Sequence, residues 1–297
     1  MPGDSSCALK RRRQAWGRIG YCTTGPAAGR RPRVANVQQI DPNARRDAMR
    51  HRFLKAAAVL AVAIALSGLA LGQPAGVRWR VDTAVYYIGN GWLPEALEHL
   101  QQAVRMAPDD AEAYLLMGMI FDVSGDAERA LAAYGHALAL APDAAPLDVL
   151  MGDIYFAAGR LDEARRAYEQ ALARFPDAGT AYYGLARVQA AGGSDAAVDT
   201  LRTAVEHAPD LIDARLLLGR ILRLSGRPEE ALEHLLHAQR LDRNRTDVRL
   251  ELALVYEALE RMAEAEHEYR MVLRLDPDNE EAGAGLRRLM EVQQANT

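Results

Sequence analysis

Residues 111–143 read AEAYLLMGMIFDVSGDAERALAAYGHALALAPD. Tyr114, Met117, Gly118 and Phe121 recur at i, i+3, i+4 and i+7, the spacing that gathers side chains on one face of a helix. Ala130, Tyr134 and Ala137 do the same on a second segment. Gly125 falls between the two, where a helix end favours a left-handed residue. Small residues at Gly118 and Ala130 let two helix backbones approach, and Phe121 and Tyr134 fill the space beside them. Pro142-Asp143 closes the stretch and offers a carboxylate to cap the helix that follows.

The pattern recurs along most of the chain. Pro108, Pro142, Pro176, Pro209 and Pro277 lie 34, 34, 33 and 68 residues apart, and Arg243 fills the vacant place. Six units start near Val77, Ala111, Ala145, Ala178, Ile212 and Thr246. The small position of the first helix holds Ala84, Gly118, Gly152, Ala186, Gly219 and Ala253. That of the second holds Ala96, Ala130, Ala164, Ala197, Ala231 and Ala265. Four residues on come Leu100, Tyr134, Tyr168, Leu201, Leu235 and Tyr269. Gly91, Gly125, Gly159, Gly192/Gly193 and Gly226 mark the turns, and Glu260 takes that place in unit six. Helical faces repeating with this period imply an all-α solenoid or array.

These coincident positions resemble the tetratricopeptide repeat (TPR) family over about residues 77–279. The resemblance implies a right-handed α-solenoid of about six helix-turn-helix units. Residues 280–297 carry Leu286 and Met290 like a further first helix, but Arg287 stands at the small position. They are expected to form a capping helix and tail.

The family's concave surface is lined by fixed positions of the first helices. Here those positions supply Leu115 and Met119, then the acids Asp122 and Asp153, then Tyr183, Arg187, Arg220 and Arg223. Two readings stand open. The arginines take a carboxylate or acidic segment of a partner peptide, or the two aspartates balance them within the groove. Chaperone-binding members of the family use Lys and Asn at such positions, and no repeat here contains Lys.

Charge divides the chain at a single place. Residues 1–55 hold 13 Lys and Arg against three acids, and residues 56–297 hold 23 against 37. The boundary is the apolar run Ala56–Gly72, AAAVLAVAIALSGLALG, preceded by Arg50, His51, Arg52 and Lys55. A basic start, an apolar core and small residues at Ala70 and Gly72 fit a signal peptide over 49–72, cut before Gln73. The same run fits a membrane anchor through 56–72, with the arginines holding its start in the cytosol. Both readings export residues 73–297, soluble in the periplasm or anchored by one segment. Residues 1–48 show no helical or strand period and are expected to be a disordered basic segment, or an extension preceding a true start at Met49.

The chemistry classes narrow quickly. Cys7 and Cys22 are the only thiols, so the repeats hold no cysteine nucleophile and no thiolate metal site. There is no phosphate-binding glycine loop, no G-x-S-x-G elbow and no H-E-x-x-H. Glu230, His234 and His237 fall at i, i+4 and i+7 on a second helix, with His267 one unit on, and three such groups could hold Zn²⁺ or Cu²⁺. The plainer alternative is an exposed polar face. The expectation is a non-enzymatic interaction scaffold in the cell envelope, without cofactor, nucleic acid or small-molecule substrate. It binds a protein or peptide in its concave groove, or serves as a membrane-tethered structural subunit of an envelope assembly or secretion complex.

Overall fold

The structure is a computed structural model describing residues 75–143 and 146–295, all within the compact unit Arg33–Thr297. The basic segment 1–48 and the signal or anchor 49–72 lie outside the described residues. Thirteen α-helices and no strand occupy the described residues. They are α1 (Ala75–Gly89), α2 (Leu93–Met106), α3 (Ala111–Val123), α4 (Ala127–Leu140), α5 (Pro146–Ala157), α6 (Leu161–Arg174) and α7 (Gly179–Ala191). Then follow α8 (Ala197–His207), α9 (Ile212–Leu224), α10 (Pro228–Leu241), α11 (Thr246–Ala258), α12 (Met262–Leu275) and α13 (Glu280–Ala295). Six consecutive pairs and one further helix therefore stand where the repeat places them.

Each helix packs most closely on its partner within the pair, and each second helix then meets the first helix of the next pair. First helices also touch across units, α1 with α3, α5 with α7 and α9 with α11. That places them in the inner row of the stack.

The close approaches fall at the small positions. Tyr134 lies on the backbone of Gly118, Tyr168 on Gly152 and Leu235 on Gly219, and a Cβ on any of these glycines would collide with the ring or the leucine. A second set of approaches escapes the expected pattern. Tyr168 is also covered by Gly184, and Tyr269 by Gly285, both at the sixth residue of the following unit. Tyr168 is thus held between glycines of two units and is fully buried.

Contacts between units are made by the third and tenth positions of the aligned repeat, both on the first helix. Ala113, Leu147, Ala181, Ala214, Val248 and Ala282 are completely buried. Ile120, Ile154, Val188, Ile221, Val255 and Leu289 are at most 5% exposed. In α13 this face meets α12, while Arg287, Met290 and Glu291 on the other side are exposed.

Five turns use glycine with positive φ, from 69° at Gly193 to 79° at Gly125. Glu260 adopts the same conformation at φ 58° in unit six, the sole non-glycine to do so among the described residues. Helix capping departs from expectation. Where the cap is described, the aspartate after the proline is not it, because the turn runs one residue further. Asp110 caps α3 by accepting from the Ala113 N–H at 3.1 Å, and Asn279 caps α13 by accepting from Ala282 at 2.9 Å. In α7, α9 and α11 that place holds Ala178, Leu211 and Arg245, and no side chain caps the helix.

Two substitutions test these approaches by urea denaturation. Glu260→Gly removes the Cβ from a left-handed residue and should raise stability by about 0.5–1 kcal/mol, the strain relief outweighing glycine's greater freedom in the unfolded chain. Gly184→Ala should lower it by about 1–3 kcal/mol, because Tyr168 is pinned from the opposite side by Gly152 and has nowhere to move.

Candidate partner-binding surface

Eight residues were expected to line the groove, and the structure sorts them into three groups. Leu115 is completely buried and Met119 is 3% exposed, so both belong to the core of units one to three rather than to an open strip. They sit where neighbouring first helices are close enough to cover them. Asp122 is half-buried near the end of α3, within the electrostatic reach of the Tyr134 hydroxyl. The remaining five lie together on α5, α7 and α9.

Their centre is Arg187. Its Nη1 donates to Asp153 Oδ1 at 2.7 Å, and its guanidinium lies 4.1 Å from the ring centre of Phe156 and 5.5 Å from that of Tyr183. The buried Tyr168 hydroxyl donates to the same Asp153 oxygen at 2.9 Å. One carboxylate therefore ties the core of unit three to an arginine of unit four. Burial raises the Tyr183 phenol well above its ordinary range, and Arg187 beside it opposes the shift.

Arg220 and Arg223 share a different partner. Arg220 Nε donates to Glu251 Oε1 at 2.5 Å, and Arg223 Nε donates to Glu251 Oε2 at 3.1 Å. Glu251 is almost fully buried, at the sixth position of unit six, where Gly184 and Gly285 stand in theirs. Beside them Arg245 bridges Asp213 at 2.9 Å and Asp247 at 2.5 Å. Four guanidiniums thus meet four carboxylates, and the basic strip read from the sequence is internally neutralised. Sequence reasoning found Asp153 as a balancing charge but missed Glu251, Asp213, Arg245 and Asp247. The available signal was the spacing: 34 residues from Asp153 to Arg187, 31 from Arg220 to Glu251, and 32 from Asp213 to Arg245.

Neutral overall, the surface still has donors left over. Arg220 engages Glu251 through Nε, and its side chain remains 41% exposed. Arg187 engages Asp153 through Nη1 and is 25% exposed. An incoming carboxylate can therefore meet the outer edges of two guanidiniums without displacing their internal partners.

The histidine cluster has a different character from a metal site. Glu230 accepts from Arg227 at 2.5 and 2.6 Å and from Arg202 at 3.2 Å, and the Arg227 bond holds its carboxyl below the usual range. Desolvation lowers both His234 and His237, and Arg215 nearby lowers them further. Among the described residues no three His, Cys, Asp or Glu side chains gather as a metal ion requires. The carboxylate is taken by arginine, and the two imidazoles have both arginines and acids around them.

At the other end of the same row, Glu112 is 6% exposed and takes Arg78 Nη1 at 3.0 Å. Burial pushes its carboxyl up to about 7, with Asp110 adding to the shift and Arg78 opposing it. The folded chain then holds a proton, between its folded pKa and the ordinary value of 4.5, that the unfolded chain has released. Stability should therefore fall as pH rises through this window and level off above it, by about 1–3 kcal/mol in all. Urea midpoints measured across pH should show the slope in the wild type and a flattened one in Glu112→Gln.

With this geometry in hand, the chain can be set beside known proteins. Two family profiles, both described as tetratricopeptide repeat, match it, one over residues 124–188 and 222–289 and the other over 81–145 and 189–246. Together they run without a gap from 81 to 289. Among solved structures it is similar to the APC/C hetero-tetramer Cut9-Hcn1, with TM-score 0.64 and 18% identity. That alignment covers 78% of this chain and 45% of the other, so this chain spans less than half of that neighbour's length. It is also similar to PilW, described as a widely conserved type IV pilus biogenesis factor, with TM-score 0.62 and 20% identity over 72% of this chain and all of that one. PilF of Pseudomonas aeruginosa gives TM-score 0.62 and 16% identity, over 75% of this chain and 98% of that one. At these identities the likeness is one of fold. No curated protein sequence matches the chain. Matching profiles over six helix pairs, and the glycine-on-tyrosine packing beneath them, place the chain in the tetratricopeptide repeat family of protein-interaction scaffolds.

Proposed function

We propose that this chain is a non-catalytic adaptor of a bacterial-type cell envelope that takes an acidic peptide segment of a partner protein on the inner face of units three to six. One observation carries the reading. Arg187 and Arg220 are held by Asp153 and Glu251, yet each keeps guanidinium donors with no partner among the described residues. Donors fixed before binding lose little freedom on meeting a ligand, which favours recognition. The aromatic faces of Phe156 and Tyr183 beside Arg187 offer apolar contact for the same segment.

Envelope location is supported by the basic residues Arg50, Arg52 and Lys55 ahead of the apolar run Ala56–Gly72. Similarity to two proteins named for pilus biogenesis and as pilF fits this placement. A second reading, a tethered structural subunit that keeps the run, is favoured by exposed Trp79, Tyr86 and Trp92 at the start of the repeats.

Affinity capture from envelope extracts, with the full chain as bait, tests the groove. Arg220→Gln should weaken retention of acidic-segment partners about tenfold, and Arg187→Glu with Arg220→Glu should abolish it. An unchanged partner set, with helicity and melting behaviour preserved, would rule out this surface. N-terminal sequencing of the recovered protein separates release from tethering. A start at Gln73 means cleavage, a retained 56–72 run in the membrane fraction means an anchor, and an intact chain in the cytosol defeats both.

A further inference from the structure

We propose that the open N-terminal face of the helix stack is a membrane-contact surface, with Trp79, Tyr86 and Trp92 seated among the lipid headgroups of the bilayer that holds residues 56–72. This rests on the tethered reading and adds to it a surface and an orientation.

The argument starts from the repeat. In every later unit the aligned third and tenth positions of the repeat are buried against the preceding second helix, at no more than 5% exposure. In unit one, which starts at Val77, these two positions are Trp79 and Tyr86 on α1, and they are 58% and 61% exposed. No described helix precedes α1 to cover them. Terminal units of a solenoid normally turn a polar face outward. This one turns out two large aromatic rings, with Trp92 beside them at 49% exposure. Seven residues separate Trp79 from Tyr86, about two helical turns or about 10 Å along one side of α1. The rings are braced from below. Trp79 meets His99 edge-on at 5.6 Å, and Tyr86 meets Trp92 edge-on at 6.4 Å.

The chemistry of the face and its position both point to lipid. Trp and Tyr combine an apolar body with a polar tip and concentrate at the boundary between headgroups and acyl chains. The charges on this side are few and suited to that depth. Arg78 is paired with Asp82 at 2.7 Å, and Arg80 lies 5.6 Å from the Trp79 ring centre. Gln73 and Pro74 alone separate the apolar run from α1, a reach of about 10 Å. A chain leaving the bilayer at Gly72 therefore keeps the start of α1 within that reach of the membrane surface. The run itself is a poor substitute for the missing second helix. Helices α2, α6, α8 and α10 all carry charged outer faces, and residues 56–72 carry no charge at all.

The test uses the full chain in phosphatidylcholine vesicles, with Trp16→Phe and one of Trp79→Phe or Trp92→Phe, so that a single tryptophan reports. Each should lose about half its emission when the lipid is brominated high on the acyl chain, and should be shielded from aqueous iodide. Adding Tyr86→Ser should reduce the bromine quenching of Trp92 while the chain stays on the vesicles. A chain that floats with the vesicles, with both tryptophans open to iodide and untouched by bromine, overturns the proposal and leaves the anchor standing. Shielding that is already complete without lipid, together with a doubled mass in solution, overturns it in favour of a second copy on this face. Failure to float removes the anchor reading and this inference with it.

Discussion

Everything in this fold depends on how closely two helix backbones can approach at one residue per unit. A tyrosine or leucine of the second helix lies on the backbone of the first, and the space exists only because the residue beneath has no side chain or a methyl. Once that contact is fixed, the distance between helices and their relative rotation follow. The large residue then presents its other side to the next unit, which must answer with something that fits. At Tyr168 the answer is a second glycine, Gly184, and at Tyr269 it is Gly285. The solenoid thus propagates by one side chain serving two interfaces.

The use of arginine alone in the repeats has a related cause. Arg245 holds Asp247 of its own unit and Asp213 of the unit before, and Arg160 does the same with Glu163 and Glu128. Arg78 links Asp82 with Glu112 one unit on. A planar fork with several donors can satisfy two carboxylates in different directions, which an ammonium on a flexible stem does less well. The exposed members of this set add little stability. Their effect is to fix the offset between units. Arg249 with Glu268, each side chain 10% exposed, is the most enclosed pair, and there a lost partner would leave a charge stranded.

The architecture was legible because its signals are repeated. Glycine at Gly91, Gly125, Gly159, Gly193 and Gly226 announces five turns, and Glu260 showed itself as the exception before its left-handed backbone explained why. The groove was less legible for a physical reason. Family positions say which residues face inward, but not how deep they lie or which charges they meet. Leu115 and Met119 face inward and are covered by their neighbours. Glu251 was invisible because most units put Leu or Gly at its position, and two carboxylates five units apart, Asp82 and Glu251, carry no periodic signal. The histidine cluster was legible as a spacing and not as a field, since Arg215 and Arg227 enter from other turns of the chain.

Tyr168 also marks a seam. The apolar interior falls into one block spanning Val77 to Ile154 and another spanning Ala186 to Leu289, with only the small group of Ala164, Tyr168 and Val188 between them. Contacts elsewhere reach only to adjoining units, so no long-range pairing locks the two blocks together. Both flanks keep their own interiors, so partial unfolding of one can leave the other standing. The polar bond from Tyr168 to Asp153 and on to Arg187 is the latch across that seam. A ligand gripping Arg187 from outside would therefore act as a mechanical splint, coupling what is bound to how the scaffold yields.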